Sequence, residues 1–221
     1  RDRSPSRGLG DVYKRQLHFW EEPCISGEMG SGAVFFSGCA LHCVFCQNEN
    51  IANGTAGKVI STERLGEIFL ELQEKGANNI NLVTPGQFVP QIIKAVELAR
   101  NQNLKIPIVY NTSSYENVDT IRSLEGIVDI YLPDFKYFDT ALSAKYSHAP
   151  DYPAVAKAVI AEMVRQTGAA VFENGEDSLM KRGTIVRHLI LPGCTKDSKA
   201  VLKYLHETYE NQIYILSLIH I

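Results

Sequence analysis

The sequence has no apolar run that approaches the roughly 18 residues needed by a membrane-spanning helix. Its first residues are polar and basic with no apolar segment behind them, so we expect no secretory signal. Basic charge is not in excess, because 22 Lys and Arg stand against 25 Asp and Glu, for a formal net charge of −3. These absences predict a cytoplasmic protein with no membrane and no nucleic-acid partner.

Cysteine is also scarce, with five in the chain, an odd number, and three of them within eight residues. A disulfide framework uses cysteines that are even in number and spread along the chain. Clustered cysteines instead favour a metal site in a reducing compartment. Cys24 and Cys194 lie far from the cluster and are interpreted as ordinary cysteines.

The composition is that of an ordinary globular domain, with 221 residues, 45% of them hydrophobic and 21% charged. The two ends differ from the rest and resemble translated sequencing-adapter read-through, although a disordered basic arm is an alternative for the first. We therefore expect non-native tails at residues 1–16 and 216–221. The domain between them, residues 17–215, is expected to be truncated near its C-terminus.

Short apolar runs alternate with longer amphipathic stretches, which is typical of repeated βα units. Six units fall short of the eight of a closed barrel, so the predicted fold is α/β, an open, partial (β/α)6 TIM-like barrel. Ligands of such folds bind beyond the carboxyl ends of the strands. The predicted strands are residues 33–36, 80–83, 107–110, 127–132, 184–191 and a strand from 213; the predicted helices are 62–75, 88–101, 117–124, 140–146, 153–166 and 198–209; and a mobile loop is predicted at 172–182.

The cysteines Cys39, Cys43 and Cys46 directly follow the first predicted strand. A structural zinc takes four ligands, and an electron-transfer [4Fe–4S] cluster takes four cysteines. Three thiolates on a [4Fe–4S] cluster leave one iron open to bind a substrate. A zinc site completed by His42 or by a distant residue is the alternative, and His42 is otherwise interpreted as a surface residue.

The CxxxCxxC spacing, with the aromatic Phe45 before the last cysteine, resembles the radical S-adenosylmethionine superfamily. The resemblance covers residues 17–215. Within the superfamily, the chain most resembles the branch of the pyruvate formate-lyase activating enzymes and PflX-like iron–sulfur proteins. This closer resemblance rests on the segments EEPCISG, GSGAVFFSGC, CQNENIA, VTPGQFVPQ, VYNTSSYE, DIYLPDFKY and VRHLILPG. It implies a [4Fe–4S] cluster on the three cysteines, S-adenosylmethionine on the open iron, and a flavodoxin- or ferredoxin-like reductant.

The resemblance also implies contacts to S-adenosylmethionine. Activating enzymes bind its amine with a Gly-Gly-Glu turn after the second strand, but here residues 84–87 read Thr-Pro-Gly-Gln, so Thr84 or backbone carbonyls are the expected contact. Residues 134–136 match an Asp-x-Lys element that contacts the ribose and the carboxylate. An arginine inside a strand, Arg187, suits a polar lumen or an anion. The expected cofactor-binding residues are Phe45, Thr84, Gly86, Asn111, Ser113, Asp134, Lys136 and Arg187.

The function implied by the resemblance is reductive cleavage of S-adenosylmethionine to methionine and a 5′-deoxyadenosyl radical. The expected use of that radical is activation of a glycyl-radical enzyme, such as pyruvate formate-lyase, by hydrogen abstraction from a glycine. One alternative is radical modification of a peptide, a cofactor precursor or a small metabolite. An alternative of another class is a non-catalytic iron–sulfur or zinc-binding protein.

Overall fold

The computed structural model describes residues 9–18, 22–173 and 178–219. Within these ranges the strands are β1 (Leu9–His18), β2 (Ser31–Phe36), β3 (Lys58–Ile60), β4 (Ile80–Val83), β5 (Ile108–Thr112), β6 (Ile130–Pro133), β7 (Val171–Phe172), β8 (Met180–Ile190) and β9 (Tyr214–Ile219). The helices are α1 (Pro23–Ser26), α2 (Glu49–Ala52), α3 (Thr62–Glu74), α4 (Val89–Asn101), α5 (Val118–Arg122), α6 (Thr140–Ser147), α7 (Tyr152–Thr167) and α8 (Thr195–Tyr209).

Six strands run parallel in the order β2, β4, β5, β6, β8 and β9, each beside the next. At least one helix lies between each successive pair in the chain, so the segment is a series of βα units. The predicted open (β/α)6 arrangement is confirmed. Antiparallel strands extend the sheet at both ends: β1 pairs with β2, β3 pairs with the outer edge of β1, and β7 pairs with β8.

The helices pack on the sheet through regularly spaced apolar side chains. In α3 the buried residues recur every three or four positions, which places Leu65, Phe69 and Leu72 on one face. The Ser61 hydroxyl accepts a hydrogen bond of 3.1 Å from the Arg64 amide and caps the first turn of this helix. Together with α4 and strands β2, β4 and β5, this face forms one continuous hydrophobic core.

Two predicted strand boundaries differ from the structure by three residues or more. The amides of Ile127 and Val128 donate to the Leu124 carbonyl and finish the turn after α5, so β6 begins three residues late. Strand β8 begins four residues early, because Met180 and Arg182 pair with β7. The predicted loop at 172–182 is therefore partly a hairpin, and residues 174–177 lie outside the described residues.

Strand β1 pairs antiparallel with β2 over Val12–Phe36 to His18–Ser31, and it includes part of the expected N-terminal tail. Residues 216–219 of the expected C-terminal tail belong to β9, which pairs with β8. The assignment of non-native tails stays a prediction. Among the described helices, none combines the length and the apolar character needed to cross a membrane.

Alternation along three strands places polar side chains at one edge of the sheet. Val109, Leu132 and Ile185 share a buried apolar cluster on one face of the sheet. Asn111, Asp134 and Arg187 each lie two residues after one of these apolar residues. Because side chains alternate along a strand with a period of two, they lie on the same face of the sheet. These three polar residues therefore meet at the carboxyl ends of β5, β6 and β8.

Candidate active site

The cysteine loop follows β2, and backbone hydrogen bonds hold it at its start and near its middle. The amides of Gly38 and Cys39 donate to the carbonyls of Ile51 and Ala52 in α2, at 2.8 and 3.0 Å. The Val44 amide, near the middle of the loop, donates to the Tyr146 carbonyl of α6 at 2.9 Å. The three cysteines are thus presented on an anchored loop.

A glycine is required at the start of this loop. Gly38 has a φ of +92°, and a Cβ there would lie 2.8 Å from Nε2 of Gln87. The Gln87 amide donates to the carbonyls of Ser37, at 2.9 Å, and Gly38. Gln87, the last residue of the Thr-Pro-Gly-Gln turn, therefore stabilises the start of the cysteine loop by these hydrogen bonds.

All three cysteines of the loop are free thiols and half-buried. Burial raises the pKa of the Cys43 thiol, Lys136 and a hydrogen bond from Ser147 oppose the rise, and Cys39 and Cys46 add to it. Lys136 is therefore the cation that interacts with the Cys43 thiol. Such a cation stabilises the thiolate that metal binding requires.

The donor set fits an iron–sulfur cluster. In the part of the chain that the structure describes, no three or more His, Cys, Asp or Glu side chains converge as ligands of a single metal ion. In a [4Fe–4S] cluster each cysteine binds a different iron, so the thiolates surround the cluster instead of meeting at one atom. The His42 side chain is exposed, as expected for a surface residue.

Four of the expected cofactor-binding residues form one network at the ends of the strands. The Arg187 guanidinium donates to Asp134 Oδ1 at 2.9 Å, Asn111 Oδ1 at 2.6 Å and Glu22 Oε1 at 3.1 Å. Lys136 Nζ donates to the other Asp134 oxygen at 2.5 Å. The network thus joins β5, β6 and β8 to the residue that precedes α1.

The network keeps its charges despite burial. Burial by itself raises the pKa of Asp134, but Arg187 and Lys136 outweigh it and hold that pKa below its usual range. Burial likewise opposes the charged form of Lys136, whereas Asp134 and Cys43 raise the Lys136 pKa above its usual value. The site therefore offers a charged carboxylate and two charged cations, of which Lys136 also interacts with Cys43.

A cleft of about 230 Å³ opens between the cysteine loop and the segments that follow β4 and β5. Four of the expected site residues line this cleft, namely Cys39, Thr84, Gly86 and Ser113. The buried Tyr152 hydroxyl lies 2.9 Å from the Ser113 carbonyl and 3.0 Å from the Asp134 carbonyl, and so ties the cleft to the network.

Phe45 lies apart from the lining of this cleft. Its half-buried ring packs edge-on against Tyr137, with 6.4 Å between the ring centroids. It belongs to the apolar cluster that also contacts Cys39 and Cys43. Its packing role is to hold the cysteine loop against the helices.

Sequence reasoning assigned no chemical role to three residues of this region, Glu22, Glu116 and Ser147. Glu116 carried a signal, because it comes four residues after the end of β5, where ligand-binding residues of α/β folds occur. Ser147 and Glu22 carried none, because their partners Cys43 and Arg187 lie 104 and 165 positions away.

Three comparisons with known proteins bear on this site. A family model described as the radical SAM superfamily matches residues 33–205. The uncharacterized protein MJ0674 of Methanocaldococcus jannaschii is 25% identical over 183 residues, which cover 80% of this chain and 48% of that protein. The chain thus spans about half the length of this curated relative.

The crystal structure of methylornithine synthase (PylB) is similar with a TM-score of 0.51 and 14% identity, over 85% of this chain and 54% of that one. At this identity the likeness shows the fold alone, which is the partial barrel described above. Members of the radical SAM superfamily use a [4Fe–4S] cluster and S-adenosylmethionine. Because the family match runs from β2 into α8 and includes all three loop cysteines, the chain belongs to the radical S-adenosylmethionine superfamily.

Proposed function

We propose that this chain is the catalytic domain of an enzyme that cleaves S-adenosylmethionine reductively, with its cluster held by Cys39, Cys43 and Cys46. The observation that carries the proposal is the position of the cysteine loop. It is anchored at the carboxyl end of β2, and the half-buried Asp134–Lys136–Arg187 network interacts with it through Lys136 and Cys43. Family membership supports the same chemistry.

A [4Fe–4S] cluster held by Cys39, Cys43 and Cys46 would, when reduced, supply the one electron that cleaves a C–S bond of the sulfonium to give methionine and a 5′-deoxyadenosyl radical. The residues of this chain bind and orient S-adenosylmethionine and exclude water from the site. We assign Lys136 to the carboxylate of S-adenosylmethionine and Asp134 to its ribose hydroxyls, because each offers the complementary charge or hydrogen-bond acceptor. Arg187 holds Asp134 in place, and Asn111 accepts a hydrogen bond that holds the Arg187 guanidinium. Thr84, Gly86 and Ser113 line the adjoining cleft.

The test is anaerobic reconstitution of the chain with iron and sulfide, reduction, and addition of S-adenosylmethionine. We expect a reduced-cluster electron paramagnetic resonance (EPR) signal that changes when S-adenosylmethionine is added, and formation of 5′-deoxyadenosine. Cys43→Ala should abolish both, whereas the matched variant Cys194→Ala, which removes a cysteine outside the loop, should retain both. Zinc filling the site with no 5′-deoxyadenosine formed would refute the proposal in favour of a metal-binding protein.

For the hydrogen donor we propose a backbone glycine of a partner glycyl-radical enzyme, with a flavodoxin- or ferredoxin-like protein as reductant in the cytoplasm. The support is the similarity of the flanking segments, such as VYNTSSYE and DIYLPDFKY, to the pyruvate formate-lyase activating enzymes. A glycyl-radical EPR signal on a candidate partner protein tests it. If 5′-deoxyadenosine forms without that signal on any candidate, the radical acts instead on a peptide, a cofactor precursor or a small metabolite.

A further inference from the structure

A glutamate that the expected set of site residues lacks faces the same cleft. Glu116 lies between β5 and α5 and lines the cleft together with Cys39, Thr84 and Ser113. Its carboxylate also lies over Gly86, because a Cβ at Gly86 would be 2.9 Å from Glu116 Oε2. Glu116 therefore brings a carboxylate to the turn that, by sequence, has none.

Two hydroxyl groups hold this carboxylate in one orientation. Tyr110 donates to Oε2 at 2.7 Å, and Thr112 donates to Oε1. The Ser114 amide donates to the Thr112 hydroxyl at 3.1 Å, which directs the hydroxyl proton toward Glu116. Each carboxylate oxygen has accepted one hydrogen bond and retains further acceptor capacity.

The charge of Glu116 has no counterion among the described residues, since it forms no ion pair with a Lys, Arg or His there. Burial raises the pKa of Glu116, and the hydrogen bonds from Thr112 and Tyr110 offset this only in part. Asp134, on the neighbouring strand, contacts two cations and shows the opposite shift in pKa. A buried carboxylate without a cation is costly unless a ligand supplies one.

Building on the proposed function, we propose that Glu116 binds the α-ammonium group of S-adenosylmethionine. An ammonium group matches this carboxylate in charge and provides N–H donors, whereas the sulfonium group provides none. Glu116 thereby replaces the carboxylate missing from residues 84–87, where Gln87 is already used on the cysteine loop. Tyr110 and Thr112 are positioning residues that orient it.

The experiment uses the reconstituted holoprotein and measures the dissociation constant of S-adenosylmethionine with the oxidised cluster, so that no turnover is needed. Glu116→Gln keeps the shape and the acceptor oxygen but removes the charge. We expect affinity to fall about 10- to 100-fold with iron content and cluster spectrum unchanged. Glu97→Gln, the same change at an exposed position of α4, should leave affinity unchanged.

A second ligand identifies the group that Glu116 contacts. The probe is an analogue of S-adenosylmethionine in which hydrogen replaces the α-amino group. The wild-type protein should lose affinity for the analogue relative to S-adenosylmethionine, and Glu116→Gln should lose much less. Equal losses in the two proteins would overturn the proposal.

Gly86→Ala provides an independent variant that keeps Glu116 but displaces its carboxylate through the 2.9 Å contact. It should weaken binding in the wild-type background and have little further effect in the Glu116→Gln background. Unchanged affinity in both single variants would overturn the Glu116 proposal while leaving the proposed function intact. A wild-type holoprotein that binds no S-adenosylmethionine would overturn both.

Discussion

The Ser147 hydroxyl donates a hydrogen bond of 3.0 Å to Cys43 Sγ. Ser147 is the last residue of α6, and its oxygen also lies 2.8 Å from the buried Tyr137 hydroxyl. Hydrogen bonds to the sulfurs of an iron–sulfur cluster stabilise the more negative, reduced state. Ser147 is thus placed to adjust the reduction potential of a cluster bound by Cys43.

Replacing Ser147 with Ala should therefore lower the reduction potential of the reconstituted cluster without reducing its iron content. A redox titration followed by EPR measures the shift. Ser143→Ala is the matched control, because Ser143 is buried in the same helix but donates to the Thr140 carbonyl. An unchanged potential in the Ser147 variant would show that the hydrogen bond does not survive cluster binding.

Lys136→Met should weaken binding of S-adenosylmethionine about tenfold or more, because it removes a charged donor that we assign to the ligand carboxylate. Asp134→Asn should also weaken binding, through loss of the ribose acceptor. Equilibrium binding to the oxidised holoprotein measures both, with the exposed Lys94→Met on α4 as control. Full affinity in both variants would remove these two residues from the binding site.

Arg187→Met should destabilise the fold by about 3 kcal/mol at neutral pH, because it removes the guanidinium shared by the buried Glu22 and the half-buried Asp134. Denaturant unfolding measures the loss. Arg122→Met removes an exposed arginine paired with Asp119, and it should cost less than about 1 kcal/mol. Similar losses in the two variants would contradict a structural role for the Arg187 network.

Glu116→Gln should stabilise the ligand-free fold at neutral pH even though it weakens ligand binding. Burial raises the pKa of Glu116 in the folded state, so wild-type stability falls as pH rises from the ordinary Glu pKa through the raised one. The gain from Gln should therefore disappear below about pH 4, where the side chain is protonated in both states. Unfolding free energies across this range measure it.

Glu162→Gln is the matched control variant, and we expect it to change the free energy of unfolding in the opposite direction. Hydrogen bonds from Arg165 lower the pKa of Glu162 to about 2, so its contribution to stability is present above the ordinary Glu pKa. It is lost as pH falls toward 2. This variant should be less stable than wild type at neutral pH, and a loss of stability in both glutamine variants would contradict the different environments of the two glutamates.

Local sequence predicted the strands that lie within the parallel sheet. β4 was predicted with its observed bounds, and β2 and β5 to within two residues, because buried parallel strands are continuous apolar runs between turns. Helices α3 and α4 were predicted to within one residue from apolar residues on one face. The added strands β1, β3 and β7 were missed, because their antiparallel pairing depends on distant partners.

In the candidate site, too, some residues could be predicted from the sequence and others could not. The cysteine triplet was recognisable because its three thiols lie within eight residues. Asn111 and Asp134 were recognisable because each follows a predicted strand, and Arg187 because an arginine inside a strand suits a polar lumen or an anion. Sequence by itself therefore determined the kind of cofactor chemistry. The Ser147–Cys43 and Arg187–Glu22 contacts were decided only in the tertiary structure, as was the carboxylate of Glu116 over Gly86. The physical reason is that these contacts depend on how the ends of separate strands and loops meet, which no local pattern of residues encodes.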